Sequence, residues 1–181
     1  MSRRDSPLFD ADRVRSLLTE LGGRLDAREI EARLFLVGGA AMAIAFSNRR
    51  VTRDLDAVFE PKKEIYEEAA KMARERGLPE DWLNDSVKGL LPERIQPIEG
   101  AASFSSVGIR VGVASAEYLF VMKAVAARQE ADGEDLRTLS RALKIKTPQE
   151  GLDLVERYYG ANRVTMKTQL ILEDLLGDED G

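Results

Sequence analysis

Between Leu34 and Phe59 the chain reads LFLVGGAAMAIAFSNRRVTRDLDAVF, and this stretch constrains what the rest can become. An apolar run, Leu34 to Val37, is broken by Gly38-Gly39. Small side chains follow from Ala40 to Phe46, then a basic turn, Asn48-Arg49-Arg50. The stretch closes on Thr52-Arg53-Asp54-Leu55-Asp56-Ala57-Val58-Phe59, with two carboxylates inside an apolar, strand-like segment. Residues two apart on a strand share a face. Asp54 and Asp56 therefore converge, while Leu55, Ala57 and Phe59 pack on the opposite side. An unpaired buried carboxylate is costly. A cation relieves that cost, and so does solvent at an edge strand or pairing with Arg49, Arg50 or Arg53.

The glycine pair also has two readings. It makes a tight strand-to-helix turn, or it lets backbone amides approach an anion at a helix start. Strand, Gly-Gly, small helix and then a strand with Asp-x-Asp is more specific than any of its parts. The order sets a phosphate cradle beside a divalent-cation site, the two components of a phosphoryl-transfer centre.

Composition narrows the chemistry. The 181 residues contain no histidine and no cysteine. That excludes Ser-His-Asp and Cys-His catalysis, disulfides and nearly every zinc site. A metal used here is expected to be a hard, oxygen-liganded ion, Mg²⁺ or Mn²⁺. A net charge of −5 argues against general affinity for nucleic acid. No apolar run is long enough to span a membrane, and MSRRDSPLFDADR lacks the apolar core of a signal peptide, so a cytoplasmic location is expected.

In chain order, residues 1 to 9 read as loose. An amphipathic helix is predicted from Asp10, with Val14, Leu17, Leu18 and Leu21 at i, i+3, i+4 and i+7; Gly22-Gly23 stops or frays it, or Leu25 continues the stripe. Strands are predicted at Arg33 to Val37 and Leu55 to Phe59, separated by a helix from Gly39 to Phe46. A further helix is predicted from Pro61, in its first turn, to Gly77. A loop or short helix is expected around Asp81-Trp82-Leu83-Asn84, and strands at Arg94 to Ile98 and Val107 to Val113. From Ser115 the pattern is helical: Ala116 to Arg128, Asp132 to Leu143, a capped helix from Thr147-Pro148-Gln149-Glu150 to Tyr159, and Arg163 to Leu176. The acidic tail from Gly177 is expected to fray. The fold class is α/β (α+β), a small mixed sheet with flanking helices. Residues 1–113 form the core and residues 114–181 a helical C-terminal section packed on it.

Gly38-Gly39 followed by Thr52-Arg53-Asp54-Leu55-Asp56 resembles the signature of the nucleotidyltransferase superfamily, whose fold is that of polymerase β. The chain is most similar to the bacterial AbiEii-like and related minimal nucleotidyltransferases. The resemblance extends to Arg50-Val51-Thr52-Arg53-Asp54-Leu55-Asp56, Trp82-Leu83-Asn84, Tyr118-Leu119 with Met122-Lys123, and Asp132-Gly133-Glu134-Asp135-Leu136, so it covers about Leu34 to Leu139. It implies transfer of a nucleoside monophosphate from an NTP to RNA, a tRNA end or a protein, in a toxin–antitoxin setting with a cognate antitoxin. It also implies catalytic roles for Asp54, Asp56, Lys123 and Asp135, with Asp54 and Asp56 on the metal. Gly38, Gly39, Arg50, Thr52 and Arg53 would contact the nucleotide.

The residue types by themselves allow more than one role. Lys123 is the only charge between Glu117 and Arg128. It could reach a triphosphate or neutralise the aspartates, or its stem packs while its ammonium snorkels to water. Asp132, Glu134 and Asp135 are also favourable charges in a helix's first turn. Trp82, near Lys88, stacks on a base or belongs to the core. Many members of the superfamily supply a third carboxylate from a later strand. Val107 to Val113 carries only Arg110, and Glu93 and Glu99 flank an earlier segment. The alternative is therefore a catalytically degenerate nucleotide-binding or protein-interaction module with the same fold.

Overall fold

A computed structural model of the chain describes residues 7–46, 50–92 and 102–177. The described residues fold into two compact units, one within residues 7–88 and 102–114 and the other within residues 89–92 and 115–177. The class is α+β: a five-stranded mixed sheet with helices in the first unit, and helices throughout the described part of the second.

The first unit opens with α1 (Ala11–Asp26), whose N-cap Asp10 accepts from the Arg13 amide at 2.8 Å. Phe9, expected to be loose, is buried and pairs with Thr52 through reciprocal backbone bonds of 2.7 and 2.9 Å. Nor does α1 stop at Gly22-Gly23. It runs past them and buries Leu25 with Val14, Leu17, Leu18 and Leu21. A Cβ on Gly22 would lie 2.5 Å from both Ile109 Cγ2 and the Val107 carbonyl oxygen. That glycine is a packing requirement rather than a helix stop.

Strands β1 (Ala32–Leu36), β2 (Leu55–Glu60), β3 (Leu83–Asn84), β4 (Ala102–Ser106) and β5 (Ile109–Val113) make a sheet of order β3-β2-β1-β5-β4. β1 pairs antiparallel with β2 and parallel with β5, and β3 pairs parallel with β2. The register aligns Leu34 with Phe59 and Val111, and Leu36 with Ala57 and Val113. Alternation thus turns one continuous apolar face inward. The opposite face carries the half-buried Phe35, Asp56, Val58 and Gly112. β2 lies between β3 and β1, so the aspartates do not sit on an edge strand.

Connecting β1 to β2 is α2 (Gly38–Ala45), with Ala40 to Ala43 buried. α3 (Lys62–Arg76) buries Ile65, Ala69, Met72 and Ala73 and ends on a left-handed Gly77. Pro61 is its N-cap rather than a first-turn residue. The loop expected around Trp82 contains β3, followed by a 3-10 helix, Ser86–Leu90. Val107-Gly108 forms the β4–β5 turn rather than the start of a strand. The strand expected at Arg94 to Ile98 lies outside the described residues.

In the second unit, α4 (Ala116–Ala126) packs against α5 (Gln129–Leu143), α6 (Pro148–Tyr159) and α7 (Met166–Leu176). Tyr118 to Ala124 are all buried, as suits a helix apolar on every side. Ser115 caps α4, and Thr147 with Glu150 forms a complete capping box on α6. Among the described residues no helix is long and apolar enough to cross a membrane.

Candidate functional site

The turn from β1 into α2 meets the start of β2. Val37 ends the apolar run and donates its amide to the Asp56 carbonyl at 3.0 Å. As N-cap of α2 it brings no side-chain oxygen to the first-turn amides. A helix start needs such partners for its leading N–H groups. Gly38 adopts a left-handed backbone (φ +60°), and a Cβ there would lie 3.0 Å from Asp56 Oδ2. A Cβ on Gly39 would lie 2.6 Å from Thr52 Oγ1. Both glycines therefore let the α2 start sit directly against the Asp-x-Asp segment.

Asp54 immediately precedes β2 and Asp56 lies within it, and both are half-buried. Thr52 Oγ1 donates to the Asp54 carbonyl at 2.9 Å and so fixes the backbone entering the strand. On the β3 side, Asn84 stands in register with Asp56. Its Nδ2 lies 3.5 Å from Asp54 Oδ2, and Ser86 Oγ lies 3.4 Å from Asp56 Oδ1. Next to them, Asp85 accepts from Lys62 and from the Tyr66 hydroxyl at 2.6 Å. Those bonds, that of Lys62 first, hold the Asp85 carboxyl below its ordinary range. Lys88 is pulled down chiefly by the adjoining Lys62 ammonium.

Gly38, Gly39, Thr52, Asp54 and Asp56 thus come together in the first unit. Arg50 is half-buried and Arg53 exposed, one on each side of Thr52. Arg49, Glu93 and Glu99 lie outside the described residues. Oxygen donors in this group suit a hard divalent ion. Among the described residues no cluster of three acidic side chains forms, so such an ion would draw its remaining ligands from phosphate and water. On the open face β5 offers Arg110 and Gly112 and no acid.

Lys123 and Asp135 belong to the second unit. The Lys123 ammonium lies 2.8 Å from Asp132 Oδ1 and 2.8 Å from Asp135 Oδ2. Arg128 Nε reaches the other oxygen of Asp132 at 3.0 Å. Lys123 is only 6% exposed, so snorkelling is ruled out: its charge is answered inside the protein. Trp82 is a core residue rather than a base-stacking one, fully buried with its indole N–H on the Ala69 carbonyl at 3.0 Å.

Asn84, Ser86 and Asp132 also take part, with no role assigned to them by spacing. Asn84 and Ser86 flank the aspartates through a two-residue strand too short to show alternation. Asp132 lies i, i+3 from Asp135 on α5, a spacing that signals a shared helix face.

Comparison with protein-family models, with curated proteins and with solved structures finds no match for the chain.

Proposed function

We propose that the protein is a metal-dependent nucleotidyltransferase, passing a nucleoside monophosphate from an NTP to an acceptor hydroxyl with release of pyrophosphate. The observation that carries this reading is the approach of Gly38 and Gly39 to Asp56 and Thr52, where any side chain would fill the space. Asp54 and Asp56 would hold Mg²⁺ or Mn²⁺. When bound, such an ion would supply positive charge against the phosphoryl oxygens. The chain's own residues do the positioning. Amides at the α2 start receive a phosphate, and Arg50 and Arg53 offer guanidinium groups that match phosphate geometry. Lys123 steadying the transferred group and Asp135 activating the acceptor are roles taken from the family resemblance. The ion pairs of Lys123 with Asp132 and Asp135 add a structural role. The proposed acceptor is RNA, including a tRNA end, or a protein, in a cytoplasmic toxin–antitoxin setting with an antitoxin as partner.

The test is transfer of label from each NTP onto total RNA and protein in the presence of Mg²⁺ or Mn²⁺. Asp54→Asn and Asp56→Asn are expected to lower transfer by about 100-fold or more, since metal stabilisation of a phosphoryl transition state is worth several kcal/mol. Transfer unchanged in both variants sinks the assignment. The absence of an acid on β5 favours one second reading, a module that binds nucleotide without turning it over. NTP binding with no transfer in the same screen points to it.

A further inference from the structure

Asn84 is tied down at every atom that can bond. Its Oδ1 accepts from the Ser86 amide at 3.1 Å and from Ser86 Oγ at 2.6 Å. Its Nδ2 lies 3.3 Å from the Asp81 carbonyl and 3.5 Å from Asp54 Oδ2. The backbone beneath is equally held: the Leu55 amide donates to the Trp82 carbonyl at 2.7 Å, and Trp82 is anchored in the core. An amide fixed in this way cannot rotate to suit a carboxylate, so the carboxylate must suit the amide. A hydroxyl has one proton. The shorter contact takes it, locking Ser86 to Asn84 while its oxygen stays 3.4 Å from Asp56 Oδ1.

We propose that Asn84, braced by Ser86, is a positioning residue that sets the orientation of Asp54 for a divalent cation held by Asp54 and Asp56, an inference that rests on the nucleotidyltransferase reading above. Outer groups that orient ligating carboxylates influence the metal without touching it. The 3.5 Å contact of Asn84 Nδ2 with Asp54 Oδ2 is long, and hydrogen bonds of this kind tighten once the ligand is bound.

The experiment is a Mn²⁺ titration of the full chain with a non-hydrolysable NTP present, followed by electron paramagnetic resonance. Wild type is compared with Asn84→Ala, Ser86→Ala and Tyr66→Phe. Tyr66→Phe removes the neighbouring bond to Asp85 and leaves the aspartates alone. Mn²⁺ affinity is expected to fall about 10- to 100-fold in Asn84→Ala and by less in Ser86→Ala, the range for lost outer partners of metal ligands. It should be unchanged in Tyr66→Phe. Equal affinity in wild type and both alanine variants overturns the positioning role and leaves the cation reading standing. An equal loss in Tyr66→Phe overturns it too, because general loosening of the segment would then be the cause. Absence of Mn²⁺ binding by wild type removes the cation reading and this inference with it. Should Asn84→Ala fail to fold, Ser86→Ala and Asn84→Ser decide by the same comparison.

Discussion

Single charges in apolar surroundings behave differently in the two units. Asp54 and Asp56 stay half-buried, next to an amide, a hydroxyl and the start of a helix. Lys123 is enclosed with Asp132 and Asp135, which are 2% and 4% exposed. Removing one member of a buried charge cluster strands the others, which costs about 3–5 kcal/mol. Lys123→Met is therefore expected to lower unfolding stability by that amount in urea titrations followed by circular dichroism. Arg128 cannot compensate, because it reaches only Asp132 and its side chain is 68% exposed. Wild-type stability in Lys123→Met would deny the cluster its structural role. The residues of the candidate site were legible from spacing alone at Gly38, Gly39, Asp54 and Asp56. Asn84 and Ser86 were not, because they reach the aspartates only through the pairing of β3 with β2, and Asp132 meets Lys123 only through the packing of α5 on α4.

Adjacent glycines on α1 separate what a helix wants from what its packing allows. Glycine costs about 1 kcal/mol relative to alanine inside a helix. At Gly23 a Cβ would meet nothing within 4 Å, so Gly23→Ala should gain up to about 1 kcal/mol. At Gly22 the same Cβ would sit 2.5 Å from a backbone carbonyl that cannot rotate aside. Overpacking of this kind costs about 1–3 kcal/mol and outweighs the propensity gain. Gly22→Ala is expected to be destabilised, and the opposite signs can be read in paired urea titrations. Two variants that shift alike would contradict the close approach of α1 to β5. Helix starts at Asp10, Ser115 and Thr147 were readable because a cap is a local event. The course of α1 through two glycines was not, since their reason lies on another strand.

For the chain as a whole, pH acts from both ends. Bonds to basic or backbone donors hold several carboxyls low. Bonding to Arg24 lowers Glu75, and the Lys146 and Thr147 amides lower Glu150. Burial pulls Glu68 up, but Lys71 and Arg28 together pull it further down. A carboxyl lowered in the folded state contributes stability above its unfolded range, and that contribution is lost as pH falls through the folded value. Tyrosines act in the opposite direction. Burial pushes Tyr118 up to about 12, and burial aided by its 2.8 Å bond to Glu117 pushes Tyr158 up to about 12. Their contribution is complete below pH 10, the ordinary tyrosine value, and declines as pH rises toward 12. Thermal melts should therefore peak near neutrality, and Tyr158→Phe should flatten the alkaline decline. An unaltered alkaline limb in that variant would contradict the assignment. Local chemistry was enough to specify the caps at Asp10, Ser115 and Thr147, the inward faces of β1, β2 and β5, the Asp-x-Asp pair and the need for a non-histidine site, whereas β4 carried no strand signal. These depend on residues a few positions apart. Long-range pairing decided the rest: that β2 lies inside the sheet, that Asn84 stands beside Asp56, that Gly22 admits no side chain and that Lys123 is neutralised internally. Each of those depends on which distant backbone comes within a few ångströms, and only the closed fold brings it there.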